Sequence, residues 1–266
     1  MLLIAAALAE ELQVVLELCP PNGRLAIQGV RGWKATHGSL PIVALKTGMG
    51  PARAANSLKL FLSTERPARI LVLGYGGALD PSLQVGDLVI GERASLLLED
   101  KGSGSMRFLS MAGTWQLAGS REIHGSSTLA GLPAKQGAIL TSGFIIGGAE
   151  QKLLLRDKFH ASIVDMETAA LAQVAAQFAI PMACVRAVSD RVQDDFLAPF
   201  SYEPSLSLAA RAMRILVAGN WVRRHGQWRE NTTAARRSLR RFLAIYLGMT
   251  SDDCVTGKNE TTDEHR

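Results

Sequence analysis

Cysteine is scarce in this chain of 266 residues: Cys19, Cys184 and Cys254 are odd in number, far apart, and lack CxxC or Cys/His ligand spacing. A disulfide framework and a zinc site are not expected, and a reducing cytoplasm suits such a sequence. No apolar run reaches the roughly 18 residues of a membrane-spanning helix. Residues 1–9 are apolar, but no basic stretch precedes them and Glu10 and Glu11 cut them short, so they do not read as a secretion signal. Dinucleotide and phosphate fingerprints are missing as well. Gly74-Tyr-Gly-Gly-Ala-Leu79 has leucine where GxGxxG needs its third glycine, Gly48-Met-Gly50 has Arg53 at that place, and no P-loop pattern occurs. Both glycine runs still let a ligand approach the backbone closely. Neither a cofactor nor a metal is expected.

What is present suits a globular α/β enzyme: 47% hydrophobic residues, 20% charged, and 25 glycines. Apolar periodic stretches run from residue 2 to residue 218 with no long polar linker, so 1–218 reads as one domain. The net charge of +5 is uneven. Arg223, Arg224, Arg229, Arg236, Arg237, Arg240 and Arg241 face only Glu230, which marks 219–250 as a basic amphipathic extension. Residues 251–266 are polar and read as a frayed tail.

Hydrophobic periodicity predicts strands at 2–7, 25–30, 40–46, 69–73, 85–90, 135–140, 162–165 and 182–187. Helices are predicted at 9–18, 52–62, 149–158, 167–178 and 204–217, with Pro51 suited to a first helical position. Residues 99–136, rich in Gly and Ser, read as loops. Strands that alternate with helices and end in Gly, Ser or Asp predict a largely parallel or mixed sheet with helices on both faces. In such sheets ligands bind at the carboxyl ends of the strands.

Several carboxylates fall at those ends. Glu10 and Glu11 open the first helix, Glu167 opens another, and Asp190 closes the 182–190 segment. Each alone would serve as an ordinary helix-terminus charge or cap. Together they sit in longer motifs. The stretch 71–90 (LVLGYGGALDPSLQVGDLVI) resembles the Gly-rich strand and "VGD" strand of the nucleoside phosphorylase/nucleosidase superfamily. Residues 164–172 (VDMETAALA) resemble its "DMEgAA" helix start, and 181–190 (PMACVRAVSD) its "PfvvvRaiSD" strand. Residues 47–50 and 7–11 fall where the family has its other two signatures. The resemblance covers about residues 2–217 in order and is nearest to the methylthioadenosine/S-adenosylhomocysteine nucleosidases and hopanoid-associated enzymes.

That resemblance implies a nucleoside phosphorylase-like three-layer fold, a purine nucleoside substrate with adenine as leaving base, and a homodimer. It casts Asp190 as the acid that protonates the departing purine, oriented by Ser189. A largely closed pocket would raise its pKa by desolvation. Glu167 would hold the ribose hydroxyls and stabilise the cation-like sugar, and Met166 would pack on the sugar face. Glu11, in preference to Glu10, would activate water, with Arg186 steadying either Glu11 or that water. Phe144 would stack on the purine, Ile145 would offer backbone groups to its edge, and Gly76 and Tyr75 would line the turn beside it. Tyr75 departs from the Ser, Thr or Val of many relatives, and 99–136 is poorly matched.

A carboxylate at the first turn would repel phosphate and suits water, so hydrolysis is expected over phosphorolysis; Arg53 is the residue that could reverse this. A silent nucleoside-binding protein would need neither acid nor base. Residues 231–247 form an amphipathic helix on paper, with two readings. It packs on its own domain or a partner subunit, or it meets a membrane surface, as a lipid-linked adenosyl substrate would favour. Aromatic residues are too sparse among the arginines for nucleic-acid binding.

Overall fold

The structure, a computed structural model, describes residues 1–100, 108–120, 123, 132–194 and 221–249. Its frame starts with β1 (Leu2–Ala6), every residue of which is buried. Leu3 and Ala5 enter one apolar cluster, whereas Leu2, Ile4 and Ala6 enter the cluster on the opposite face. A strand covered on both faces reads as a continuous apolar run, and such strands sit in the middle of a parallel arrangement. β1 is indeed parallel to β4 (Leu40–Lys46) on one side and β5 (Arg69–Ala78) on the other.

Helix α1 (Ala9–Leu18) follows β1, and the edge strands β2 (Pro21–Arg24) and β3 (Arg31–His37) precede β4. Helix α2 (Pro51–Leu62) leads to β5, then β6 (Leu88–Asp100), β7 (Phe108–Gln116) and β8 (Ala134–Thr141). The rest runs α3 (Ala149–Phe159), β9 (Ile163–Asp165), α4 (Thr168–Gln177), β10 (Met182–Asp190) and α5 (Trp221–Tyr246). The strand order is β10-β6-β8-β9-β5-β1-β4-β3-β2, with β7 beside β6. Because β10 also pairs with β5, five strands close into a ring at one end of the sheet. Parallel and antiparallel pairings both occur, so the sheet is mixed.

Three expectations need correction. Residues 25–30 are a turn, not a strand: Val30 donates its N–H to Ile27, and Gly29 has a φ of 78°. The strands there are β2 and β3, whose half-exposed edge position hides them from an apolar-run reading. Residues 74–77 do not turn out of β5 but continue it. A Cβ at Gly74 would lie 2.0 Å from Arg186 Nη1, and one at Gly76 would lie 2.9 Å from Ile163, so these glycines answer to close packing. Much of 99–116 is strand, since β6 runs to Asp100 and pairs antiparallel with β7. The predicted helix at 204–217 and the tail at 251–266 lie outside the described residues.

Helix α5 shows where the apolar face of 231–247 goes. Ala235, Leu239, Phe242 and Leu243 are buried in the cluster that also holds Leu12 and Val15 of α1 and Val185 and Ala187 of β10. Arg237 and Arg241 point outward, and Arg236 pairs with Glu17 of α1. Gly248, with φ 76°, ends the helix in the left-handed conformation that favours glycine. The face that a membrane would need is therefore occupied by the protein's own core. Among the described residues no helix is long and apolar enough to cross a membrane. Leu239→Ala is expected to lower the unfolding free energy by about 2–5 kcal/mol, measured by urea denaturation; a loss below about 0.5 kcal/mol would show that α5 is not part of the core.

Candidate active site

The first turn of α1 presents two carboxylates to different surroundings. Glu10 is exposed, whereas Glu11 is buried and lines a cavity of about 400 Å³. The N–H groups of Ala7 and Leu8 donate to Glu11 Oε2 at 3.0 and 2.8 Å, and that of Tyr75 donates to Oε1 at 2.9 Å. These are the free amides of a helix start and of the neighbouring strand, so α1 and β5 together fix the carboxylate. Burial pushes the Glu11 carboxyl above its ordinary value, against the opposing pull of Arg186 and the three amides.

Arg186 lies in β10 and is 1% exposed. Its Nη2 is 2.6 Å from Asp165 Oδ2 and 3.7 Å from Glu167 Oε2, and it donates to Thr168 Oγ1 at 2.9 Å. Its direct ion-pair partner is Asp165, and it acts on Glu11 through its field, across the space left by Gly74. Asp165 also accepts from Thr141 Oγ1 at 2.6 Å and from the Thr168 hydroxyl.

Glu167 stands at the N-cap of α4 and accepts from the Gly50 N–H at 2.8 Å, which ties the 47–50 turn to the cavity. Desolvation lifts its pKa to about 7; Arg186 and the Gly50 amide oppose that shift, while Asp165 and Glu11 add to it. At the opposite wall, Ser189 donates to Asp190 Oδ1 at 2.7 Å and to the Gly76 carbonyl at 3.2 Å. Asp190 Oδ2 lies 2.6 Å from Lys152 Nζ. The surroundings of Asp190 therefore include a buried ammonium.

The remaining predicted residues fall in place around these groups. Met166, Phe144, Ile145, Gly76 and Tyr75 all line the cavity, with Phe144 half-buried and Ile145 37% exposed. Burial, reinforced by Glu11, holds the Tyr75 phenol neutral. Arg53 is exposed and does not line the cavity. Four contributors were missed by sequence reasoning: Lys152, Asp165, Met49 and Trp228. Lys152 gave no signal, because α3 has consecutive leucines of which Leu153 and Leu154 are exposed, and only the fold shows that Lys152 and Leu155 face inward. Asp165 lay inside a quoted motif. Trp228, on α5, gave no signal, because only the fold brings that helix to the cavity. Among the described residues no group of three or more His, Cys, Asp or Glu side chains could hold a metal ion.

The arrangement resembles known proteins along most of its length. At 28% identity over 224 residues the chain matches a 5′-methylthioadenosine/S-adenosylhomocysteine nucleosidase of Staphylococcus haemolyticus, covering 80% of this chain and 96% of that protein. Two Helicobacter pylori structures share the fold, each with a TM-score of 0.72 at 18% identity and 93% coverage of this chain. They are a futalosine hydrolase, 97% covered, and a 5′-methylthioadenosine/S-adenosylhomocysteine nucleosidase, 98% covered. The family described as the phosphorylase superfamily matches residues 2–218. With a mixed sheet flanked by helices and a cavity at the strand ends to go with that match, the chain belongs to the phosphorylase superfamily.

Proposed function

We propose that this protein hydrolyses the N-glycosidic bond of an adenine nucleoside and releases adenine. The observation that carries this reading is the seating of Glu11: three backbone N–H groups that could have cradled a phosphate are taken up by a carboxylate facing the cavity. A phosphate dianion entering there would meet Glu11 and Glu167, and the nearest guanidinium, that of Arg186, is committed to Asp165. Water meets no such opposition, and Glu11 can take its proton.

The remaining groups suit the two ends of the breaking bond. As C1′–N9 lengthens, the ribose gains positive charge, which the ionised forms of Glu167 and Glu11 stabilise in a low-dielectric site. Glu167 holds the ribose hydroxyls, with Met166 against the sugar face. Phe144 stacks on the purine and Ile145 offers its backbone to the purine edge. Asp190, oriented by Ser189, passes a proton to the base, so that the bonding pair leaves on a neutral purine. Relatives that act on methylthioadenosine and S-adenosylhomocysteine support adenine as the leaving base. A large apolar 5′-group, with a lipid-linked adenosyl nucleoside as the extreme case, is a second reading, favoured by Leu8, Met49 and Trp228 in the lining. A membrane-surface role for α5 would have to rely on its outward arginines, because its apolar residues are in the core.

Three measurements test this. Adenine release from methylthioadenosine, S-adenosylhomocysteine and adenosine should proceed at the same rate with and without inorganic phosphate; strict dependence on phosphate would overturn hydrolysis. Asp190→Asn and Glu11→Gln should each cut kcat by about 10²–10⁴-fold while the protein still binds adenine by calorimetry, and a fully active variant would mean its role was misassigned. The third is pH dependence. Glu167, with an ordinary value of 4.5, titrates near 7 when folded, so its carboxylate is lost as pH falls below 7 and kcat/KM should fall with it. The same shift makes the folded state bind more protons than the unfolded between those values, so this group's contribution to stability is full below about 4.5 and is lost as pH rises through about 7. Glu167→Gln should flatten that part of the Tm–pH curve; an unchanged slope would refute the assignment.

A further inference from the structure

Lys152 is a buried cation that the reaction as derived above does not use. It is 0% exposed, lies on the inward face of α3, and reaches β10 with its ammonium. Nζ donates to Asp190 Oδ2 at 2.6 Å, to the Arg191 carbonyl at 2.7 Å and to the Asp194 carbonyl at 3.3 Å. All three acceptors belong to the end of β10 and the turn after it. Arg191 is not a rival partner for Asp190, because its guanidinium is held by Asp194 at 2.9 Å.

A buried ammonium is costly unless it is hydrogen-bonded and has a counter-charge; this one donates to three groups of the acid's own segment, and its charge is paired when Asp190 is a carboxylate, the state that proton donation produces. Asp190 is held from two sides, by Ser189 on Oδ1 and by Lys152 on Oδ2, so its carboxyl plane cannot rotate freely. A Cβ at Gly77 would lie 2.7 Å from Oδ2, which shows how closely β5 also confines it.

We propose that Lys152 is the positioning residue for the acid: it fixes the Asp190 carboxyl against the leaving base and stabilises the carboxylate formed when the proton moves. The proposal rests on the reading of Asp190 as the acid. In the step, the proton passes from the Asp190 carboxyl to a ring nitrogen of the purine while the C1′–N9 pair goes to the base. Asp190 is left as a carboxylate, and the Lys152 ammonium keeps its protons and pairs with it. This support is worth most when the leaving group needs protonation and little when it does not.

The test compares two substrates on the full chain: methylthioadenosine, and the 4-nitrophenyl glycoside of the same methylthioribosyl group, whose nitrophenolate departs without a proton. Lys152→Met should lower kcat for adenine release by about 10²-fold with little change in KM, while nitrophenolate release stays close to that of the unsubstituted chain. Asp190→Asn should show the same split. Lys152→Met/Asp190→Asn should be no slower on methylthioadenosine than Asp190→Asn alone, because the two residues act as a unit. That comparison decides the matter even where Lys152→Met alone does not fold. Equal loss on both substrates in a folded Lys152→Met protein, or a further drop in the double variant, would overturn the proposal. If the unsubstituted chain itself releases no adenine, it is the hydrolase reading that fails.

Discussion

The protein has to bury a cluster of carboxylates around a cavity, and Arg186 is the charge that makes this possible. Glu11 comes from one segment and Asp165 and Glu167 from another, and each feels the same guanidinium. Taking such groups out of water costs several kcal/mol per ion unless charge and hydrogen bonds compensate. Arg186 compensates by pairing with Asp165 directly and by lying within 3.7 Å of Glu167. The demand propagates into the backbone. β10 must lie beside β5 for Arg186 to pass Gly74, and a side chain at that position would displace the guanidinium and the Glu11 carboxylate. The glycine in β5, the arginine in β10 and the glutamate of α1 are thus one constraint expressed in three places.

The cluster stays rich in negative charge. Among the described residues, Glu11, Asp165, Glu167 and Asp190 are buried with Arg186 and Lys152 as the buried cations. Such an excess would be a liability in a structural core, yet here it faces a cavity, where it favours positive over negative charge. The rise of the Glu167 pKa to about 7 comes first from its removal from water, and the neighbouring Asp165 and Glu11 carboxylates add to it. The two cations divide the work by location. Arg186 serves Asp165 and Glu167, and Lys152 serves Asp190.

Helix α5 ties the region beyond the family match to this site. Its later half adds Leu239, Phe242 and Leu243 to the core beside α1, and α1 carries Glu11. Its earlier half brings Trp228 to the cavity. A segment that looks by composition like a basic appendage therefore supports the helix that holds one site carboxylate and lines part of the pocket.

Strong local patterns carried much of this in the sequence. The helix at 9–18 is legible because its apolar spacing is regular and two acids start it, and β1 and β4 because unbroken apolar runs must be buried on both faces. The ordered motifs pointed to Glu11, Glu167, Ser189 and Asp190, because chemistry of this kind restricts residue type at fixed places along the chain. Pairing across the fold is another matter. That Arg186 binds Asp165 and not Glu11, that Gly74 and Gly76 extend a strand instead of turning it, and that Lys152 meets Asp190 depend on distances between segments far apart in sequence. By itself the sequence determined which groups could do chemistry and which stretches had to be buried. Only the tertiary structure decided which charge neutralises which, because electrostatic partnership depends on separation in space and on the exclusion of water, and neither exists until the sheet has closed around the site.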